Sequence, residues 1–485
     1  MIDQFIRDTQ LNAMRLNGAK VGAERSGDRV ICVTNPYTGQ VIGSVPKATL
    51  VEVRATFAKA HAYKPALTRF ERAAILNKAA AIATRRLDEI AALISAEAGL
   101  CWKDAVYEAG RVSDVFLFGA TEVLKDDGQI FSCDLTHPGK KRRVFTQRAP
   151  LLGVISAITP FNHPMNQVAH KVIPSIATNN RMVLKPSEKV PFSAILLADM
   201  LYEAGLPPEM FSVLTGDPRE IADELITNEH VELVTFTGGV AIGKYIASKA
   251  GYRRMVLELG GNDPLIVMED ADIDEASTLA VAGSYKNSGQ RCTAVKRMLV
   301  HQAVADRFVE QVVAKTRAWT YGDPSDRKLD MGTVIDEPAA MFFEARVNEA
   351  IAQGARLLVG NQRRGALYSP TVVDQVRPEM LLVKEETFGP VSPIIRFKDI
   401  DEAIRISNGT AYGLSSGVCT NRLDYITRFV SELEVGSVNV REVPGYRLEL
   451  TPFGGIKDSG LGYKEGVQEA IKSFTNIKTY SLPWT

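Results

Sequence analysis

Cys292 stands in the segment Asn287-Ser288-Gly289-Gln290-Arg291-Cys292-Thr293, directly after an arginine in a turn of small and polar residues. A neighbouring cation favours thiolate over thiol, and the thiolate is the nucleophile, so this setting fits covalent catalysis at sulfur. Glu258 closes the β-prone run Met255-Val256-Leu257. An enclosed apolar setting there would raise its pKa toward neutrality and suit it to general-base work. Asn162, in Pro160-Phe161-Asn162-His163-Pro164, carries a side-chain NH2 that can hold an oxyanion. Taken singly, the glutamate reads as a surface charge, the asparagine as a turn residue and the cysteine as a small core residue. Taken together they are a nucleophile, a base and an oxyanion donor for attack on a carbonyl.

These residues need a frame. The stretches 67–98 and 104–124 are rich in Ala, Leu, Ile, Arg and Glu at helical spacing, so helices dominate the first third. From residue 152 short apolar runs alternate with helical spacers. The runs at 153–158, 182–187, 211–216, 233–238 and 255–259 predict βαβ units and a parallel sheet. Ligands of such a sheet lie beyond the carboxyl ends of its strands, which is where the motifs are expected. Gly238, Gly239 and Gly243 follow one predicted strand and open a predicted helix, a place where bare amides can approach a pyrophosphate. Alone, that trio is equally a tight strand-to-helix turn.

Composition narrows the function classes. A chain of 485 residues, 45% apolar and 24% charged, buries a large core and should divide into two or three domains. Lys plus Arg and Asp plus Glu number 57 each, so no overall field draws nucleic acid or an acidic membrane surface. Anion recognition must be local. Five scattered cysteines fit a reducing cytosol, and Cys32, Cys101, Cys133 and Cys419 read as packing residues. A charged start and the lack of any apolar run of roughly 18 residues argue for a soluble cytoplasmic protein. No metal is expected, because His61, His137, His170, His230 and His301 show no ligand spacing.

Pro160-Phe161-Asn162-His163-Pro164, Glu258-Leu259-Gly260-Gly261, Gly289-Gln290-Arg291-Cys292 and Glu386-Thr387-Phe388-Gly389-Pro390 occur in the order seen in the aldehyde dehydrogenase superfamily. The chain resembles that superfamily over nearly its whole length. The resemblance implies an α/β fold with a Rossmann-type parallel-sheet cofactor domain, an α/β catalytic domain and a small β oligomerisation element. The corresponding spans are 1–131 with 150–257, then 258–460, then 132–149 with 461–485. A homodimer or tetramer is expected, since exposed edges such as 142–148 and 478–482 need covering.

The resemblance further assigns catalysis to Cys292, Glu258 and Asn162. It assigns cofactor contacts to Ile158, Thr159, Phe161, Lys185, Ser187, Glu188, Gly216, Gly238, Gly239, Gly243, Leu259, Glu386 and Phe388. The cofactor expected is NAD, because a carboxylate at Glu188 accepts ribose hydroxyls and repels a 2′-phosphate. Gly239 departs from the usual serine, which removes a hydroxyl that would reach phosphate. Relatives that pass their acyl group to coenzyme A typically lack the glutamate at 258, so a free acid product is implied.

Arg291 is the second departure. A guanidinium one residue from the thiol suits an anionic substrate. The stretch 289–296 resembles non-phosphorylating glyceraldehyde-3-phosphate dehydrogenases, in which this arginine contacts the substrate phosphate. Arg111 and Arg447 match segments that line the family's substrate entrance, and His163 and Thr293 are weaker additions. A narrower resemblance, at 127–135, 158–164, 442–447 and 472–476, is to the phosphonoacetaldehyde dehydrogenases of phosphonate catabolism. It implies NAD-dependent oxidation of phosphonoacetaldehyde to phosphonoacetate through a Cys292 thiohemiacetal and thioester. The alternatives are glyceraldehyde 3-phosphate, lactaldehyde or sulfoacetaldehyde as substrate. A non-enzymatic relative would be expected to lose Cys292, Glu258 or Asn162, and this chain keeps all three.

Overall fold

The computed structural model describes all residues except Met1, Asp126, Asp127, His137, Gly139, Lys140, Tyr463, Lys464 and Thr485. Of the sequence features above, Asp127 and His137 therefore lie outside the described residues.

The apolar runs form a parallel sheet whose strands lie in the order Arg254–Glu258, Val231–Thr237, Val154–Ile158, Met182–Lys185, Phe211–Val213. Met14–Leu16 and Ala19–Val21 extend it antiparallel at one edge. The inner strands are buried along nearly their whole length, as a sheet covered on both faces requires. One covering layer includes the helices Arg69–Arg85, Trp102–Val123, Asn166–Ala177 and Pro191–Ala204. The other includes Leu50–Ala62, Pro218–Thr227 and Val240–Ala250. The helical stretch expected over 67–98 is interrupted at Arg86 (φ −99°, ψ 18°), where Arg69–Arg85 gives way to Leu87–Ala98.

From Val154–Ile158 the chain winds outward to Phe211–Val213 on one side and then to Arg254–Glu258 on the other. The reversal opens a crevice at the carboxyl ends of the strands. Five residues, 259–263, carry the chain into a second sheet, which begins at Pro264–Val267. Its order is Arg356–Val359, Thr371–Asp374, Val391–Phe397, Arg297–His301, Pro264–Val267, Ser415–Cys419, Ser437–Val440. All its pairings are parallel except that of the edge strand Arg356–Val359. Cys292 and Glu386 to Phe388 precede strands of this sheet, so they stand at amino ends. The expectation that every motif sits at a carboxyl end is thus corrected: the crevice of the first sheet is closed by the incoming loops of the second.

A third, antiparallel sheet joins Thr475–Pro483 to Arg142–Pro150 over nine positions, with Ile130–Ser132 on the far edge. Phe145 and Tyr480 stack with ring centroids 5.2 Å apart. Within 461–485 the helix Val467–Ser473 packs on Asn166–Ala177 and Trp102–Val123, burying Val467 and Phe474 in the first core. Among the described residues no helix is long and apolar enough to cross a membrane.

The helix Trp102–Val123, which carries Asp104 and Arg111, reaches its place through Gly119. A β-carbon there would collide with the Ile173 methyl of Asn166–Ala177. Gly119→Ala is expected to cost about 1–3 kcal/mol by overpacking. The measurement is the urea midpoint, which should fall with the slope unchanged.

Candidate active site

The turn before Cys292 is bent against its own preference. The helix Ile273–Tyr285 gives way to a short turn in which Asn287, Ser288 and Gly289 take φ values of 57°, 53° and 69°. The left-handed region costs a non-glycine residue roughly 1–2 kcal/mol, so other bonds must hold it. The Asn287 backbone N–H donates to Asp104 Oδ2 at 2.8 Å, and its side chain donates to the Asn162 carbonyl at 2.9 Å. Asn162 Nδ2 donates to the Gln290 carbonyl at 2.9 Å, and Gln290 Oε1 accepts from Ile335 N–H at 2.9 Å. Gly289 must be glycine twice over: besides its φ, a β-carbon would collide with the Gly389 backbone.

Lys296, four residues after Cys292, ties the other side. Its ammonium donates to the Gly261 carbonyl (2.7 Å), the Cys292 carbonyl (2.6 Å) and Glu386 Oε1 (2.8 Å). Glu386 Oε1 also accepts from the Gly261 N–H at 3.1 Å, and a β-carbon on Gly260 would collide with Glu386. The Leu259-Gly260-Gly261 crossing, the Cys292 turn and the Glu386 loop are thereby held as one unit.

The low-pKa thiolate expected from Arg291 is not found. Burial pushes the Cys292 thiol up, and the cations that oppose this most are Lys296 and Arg447. Arg291 turns back to donate to the Gly283 carbonyl at 3.0 Å, and Asp104 is the carboxylate that most offsets its own burial.

Cys292 borders two cavities. The first, about 660 Å3, fills the crevice between the sheets. Its walls include Ile158, Thr159, Phe161 and Asn162 beyond one strand, and Lys185, Ser187 and Glu188 beyond the next. Gly238, Gly239, Glu258, Leu259, Glu386 and Phe388 also line it. Glu258 is 3% exposed and ends its strand opposite Thr237. Lys185, its pKa lowered by burial, donates to Glu188 Oε2 at 3.3 Å. Phe161 meets Phe388 edge to face at 6.0 Å. Gly216 and Gly243, expected among the cofactor contacts, do not line this cavity. Gly243 is covered by Leu259, and Gly216 lies against Ile221 and Ala48.

The cavity fits a dinucleotide by its own features. Gly239 caps the helix Val240–Ala250 with open space where a β-carbon would stand, so backbone amides are approachable. The buried hydroxyls of Thr159 and Thr237, both in the wall, have no hydrogen-bond partner among the described residues.

The second cavity, about 340 Å3, shares only Cys292 and Gln167 with the first among the described residues. It gathers Arg111, His163, Arg291, Thr293 and Arg447, the five residues expected at the substrate. They are not three bare arginines. Glu449 bonds Arg111 and His170 closely and lies 3.4 Å from Arg447. His163 faces Glu108 at 3.3 Å and burial lowers its pKa, so it is neutral at pH 7.

Residues 23–480 match the family model described as aldehyde dehydrogenase family. The chain belongs to the aldehyde dehydrogenase family. It is an oxidoreductase acting on aldehydes with a nicotinamide dinucleotide, and its α/β fold is that of the family. This aldehyde dehydrogenase is 38% identical to an NADP-dependent glyceraldehyde-3-phosphate dehydrogenase of Streptococcus equinus, over 92% of this chain and 94% of that one. It is also 38% identical to a 3-sulfolactaldehyde dehydrogenase of Priestia aryabhattai, over 93% and 94%. The solved NADP-dependent glyceraldehyde-3-phosphate dehydrogenase of Bacillus halodurans, complexed with NADP, superposes with a TM-score of 0.94 at 36% identity, covering 98% of this chain and 100% of that one.

Sequence reasoning gave no role to Asp104, Lys296 or Glu449. Lys296 lay in a segment already singled out, and Glu449 two residues past Arg447. The partners that give them their roles, Asn287 for Asp104, Gly261 and Glu386 for Lys296, Arg111 and His170 for Glu449, are far away in sequence, which hid them. For the free enzyme the pH midpoint of Cys292 alkylation by iodoacetamide should lie above the ordinary thiol value of about 8.5. Lys296→Met should raise it further, since it removes the first opposing cation. A wild-type midpoint below 7 would contradict this account.

Proposed function

We propose that this aldehyde dehydrogenase oxidises phosphonoacetaldehyde to phosphonoacetate with NAD. The single observation that carries the catalytic reading is that Cys292 borders both cavities, so one sulfur can be reached from a cofactor side and a substrate side. The Cys292 thiolate attacks the aldehyde carbon and forms a thiohemiacetal. The oxyanion is held by Asn162, whose amide has a second N–H beyond the one given to Gln290, and by the Cys292 backbone N–H. When bound, the dinucleotide supplies the hydride acceptor. Glu258 takes a proton from the water that attacks the Cys292 thioester, releasing the acid and restoring the thiol.

Three supports favour a phosphonate head. Arg291, Arg111 and Arg447 surround a cavity small enough for a short aldehyde. The relatives named above act on aldehydes bearing phosphate or sulfonate. The segments 127–135, 158–164, 442–447 and 472–476 resemble phosphonoacetaldehyde dehydrogenases. NAD is favoured by Glu188 in the cavity wall, against relatives that are named for NADP. The 3-sulfolactaldehyde relative supports a second reading, a sulfonate aldehyde such as sulfoacetaldehyde. Residues 1–131 with 150–257 then serve as the cofactor domain, 258–460 as the catalytic domain, and 132–149 with 461–485 as the element that joins subunits of a cytoplasmic dimer or tetramer.

The test is NADH absorbance with NAD or NADP and phosphonoacetaldehyde, sulfoacetaldehyde or an uncharged aldehyde of equal length. Cys292→Ser should abolish turnover, and Glu258→Gln should release one NADH per site and then stall. Arg291→Ala should raise KM for phosphonoacetaldehyde about tenfold to hundredfold, the loss of one charge-assisted bond. Equal losses on the uncharged aldehyde would sink the anion-pocket reading.

A further inference from the structure

The substrate cavity contains a carboxylate that a simple anion pocket would exclude. Glu449 is 6% exposed and lines the cavity wall. Its Oε1 accepts from Arg111 Nε, and its Oε2 faces His170 Nε2 closely and Arg447 Nη2 at 3.4 Å. Arg447 is further fixed by Phe453, with the guanidinium carbon 4.1 Å from the ring centroid. Burial alone would keep Glu449 protonated, but Arg447, His170 and Arg111 together hold its carboxyl well below the usual carboxylate range. It is ionised at neutral pH. Burial lowers the pKa of His170 and Glu449 opposes that shift, so the ring faces the carboxylate as a hydrogen-bond donor.

We propose that Glu449 is a specificity-determining residue of the substrate cavity: it fixes the orientation of Arg111 and Arg447 while cancelling part of their charge, so that the cavity takes short aldehydes whose head carries a single negative charge nearly as well as a dianion. The charges around the cavity agree. Arg111, Lys286, Arg291 and Arg447 face Asp104, Glu442 and Glu449 in the wall. With Glu449 ionised, a second negative charge on the head meets little unbalanced positive charge. A tetrahedral oxyanion such as a sulfonate or a singly protonated phosphonate still finds oriented donors. The inference rests on the anionic-aldehyde reading for its biological sense, but its test does not.

Cys292 opens on this cavity and can be alkylated by iodoacetate, an anion, or iodoacetamide, its uncharged isostere. In either case the sulfur forms a bond to the methylene carbon and iodide leaves. Any change in the Cys292 pKa affects both reagents alike, so the ratio of the two rates reports the charge of the cavity. Glu449→Gln should raise the iodoacetate to iodoacetamide ratio by on the order of tenfold, the effect of one unit charge at short range. Glu449→Asp should return it to near the wild-type value. An unchanged ratio in Glu449→Gln overturns the proposal, as does a ratio in Glu449→Asp as high as in the glutamine variant. Should Glu449→Gln not accumulate, Arg447→Gln carries the test with the opposite sign: it leaves the carboxylate less compensated, so the ratio should fall, and an unchanged value overturns the proposal. Loss of the anionic-aldehyde preference in wild-type turnover would remove the substrate reading and leave this result standing.

Discussion

The site depends on one ammonium group. Lys296 gathers two backbone carbonyls and a carboxylate within hydrogen-bond range, and those acceptors belong to three separate loops. A buried cation is tolerated only when its donors are satisfied, and here all three N–H groups have partners. Once it is in place the rest follows. Gly260 and Gly261 must lack side chains because Glu386 and the Cys292 carbonyl stand where a β-carbon would be. The left-handed residues 287–289 must persist because the chain has to leave the helix Ile273–Tyr285 and still bring Cys292 to that ammonium. The same group is the strongest cation opposing the burial of the thiol.

The two sheets cooperate through their opposite ends. An open parallel sheet offers a crevice at its carboxyl ends, and a lone sheet leaves that crevice open to solvent. Here the loops entering the second sheet close it, with five residues between Glu258 and Pro264 as the hinge of the arrangement. Glu258 at the end of one sheet and Cys292 before a strand of the other can share a cavity without either being on a long, pliable loop.

Much of this was legible in the chain. The strands near Val154, Met182, Phe211, Val231 and Arg254 announce themselves by apolar runs, since strands buried on both faces cannot alternate. The groups proposed for chemistry were legible because their residue types sit in short, ordered motifs. What stayed hidden depends on contacts between distant segments. Arg291 sits next to Cys292 in sequence, yet its guanidinium bonds the Gly283 carbonyl, and Lys296 does more to offset the thiol's burial. Arg111 and Arg447 read as free positive charges until folding brings Glu449 between them. Gly216 and Gly243, expected as cofactor contacts, stand behind the cavity wall, where Gly243 leaves room for Leu259 to pack. Local pattern fixes elements and motifs, whereas ionisation and orientation are set by three-dimensional neighbours.

The partition between the two cavities has an evolutionary consequence. Apart from the shared Cys292 and Gln167, each wall is built from its own set of residues. Mutations at wall residues outside the Asn162–Asn287 contact can retune one chamber with little effect on the other. A lineage on this scaffold can therefore alter its dinucleotide preference and its head-group preference in separate steps.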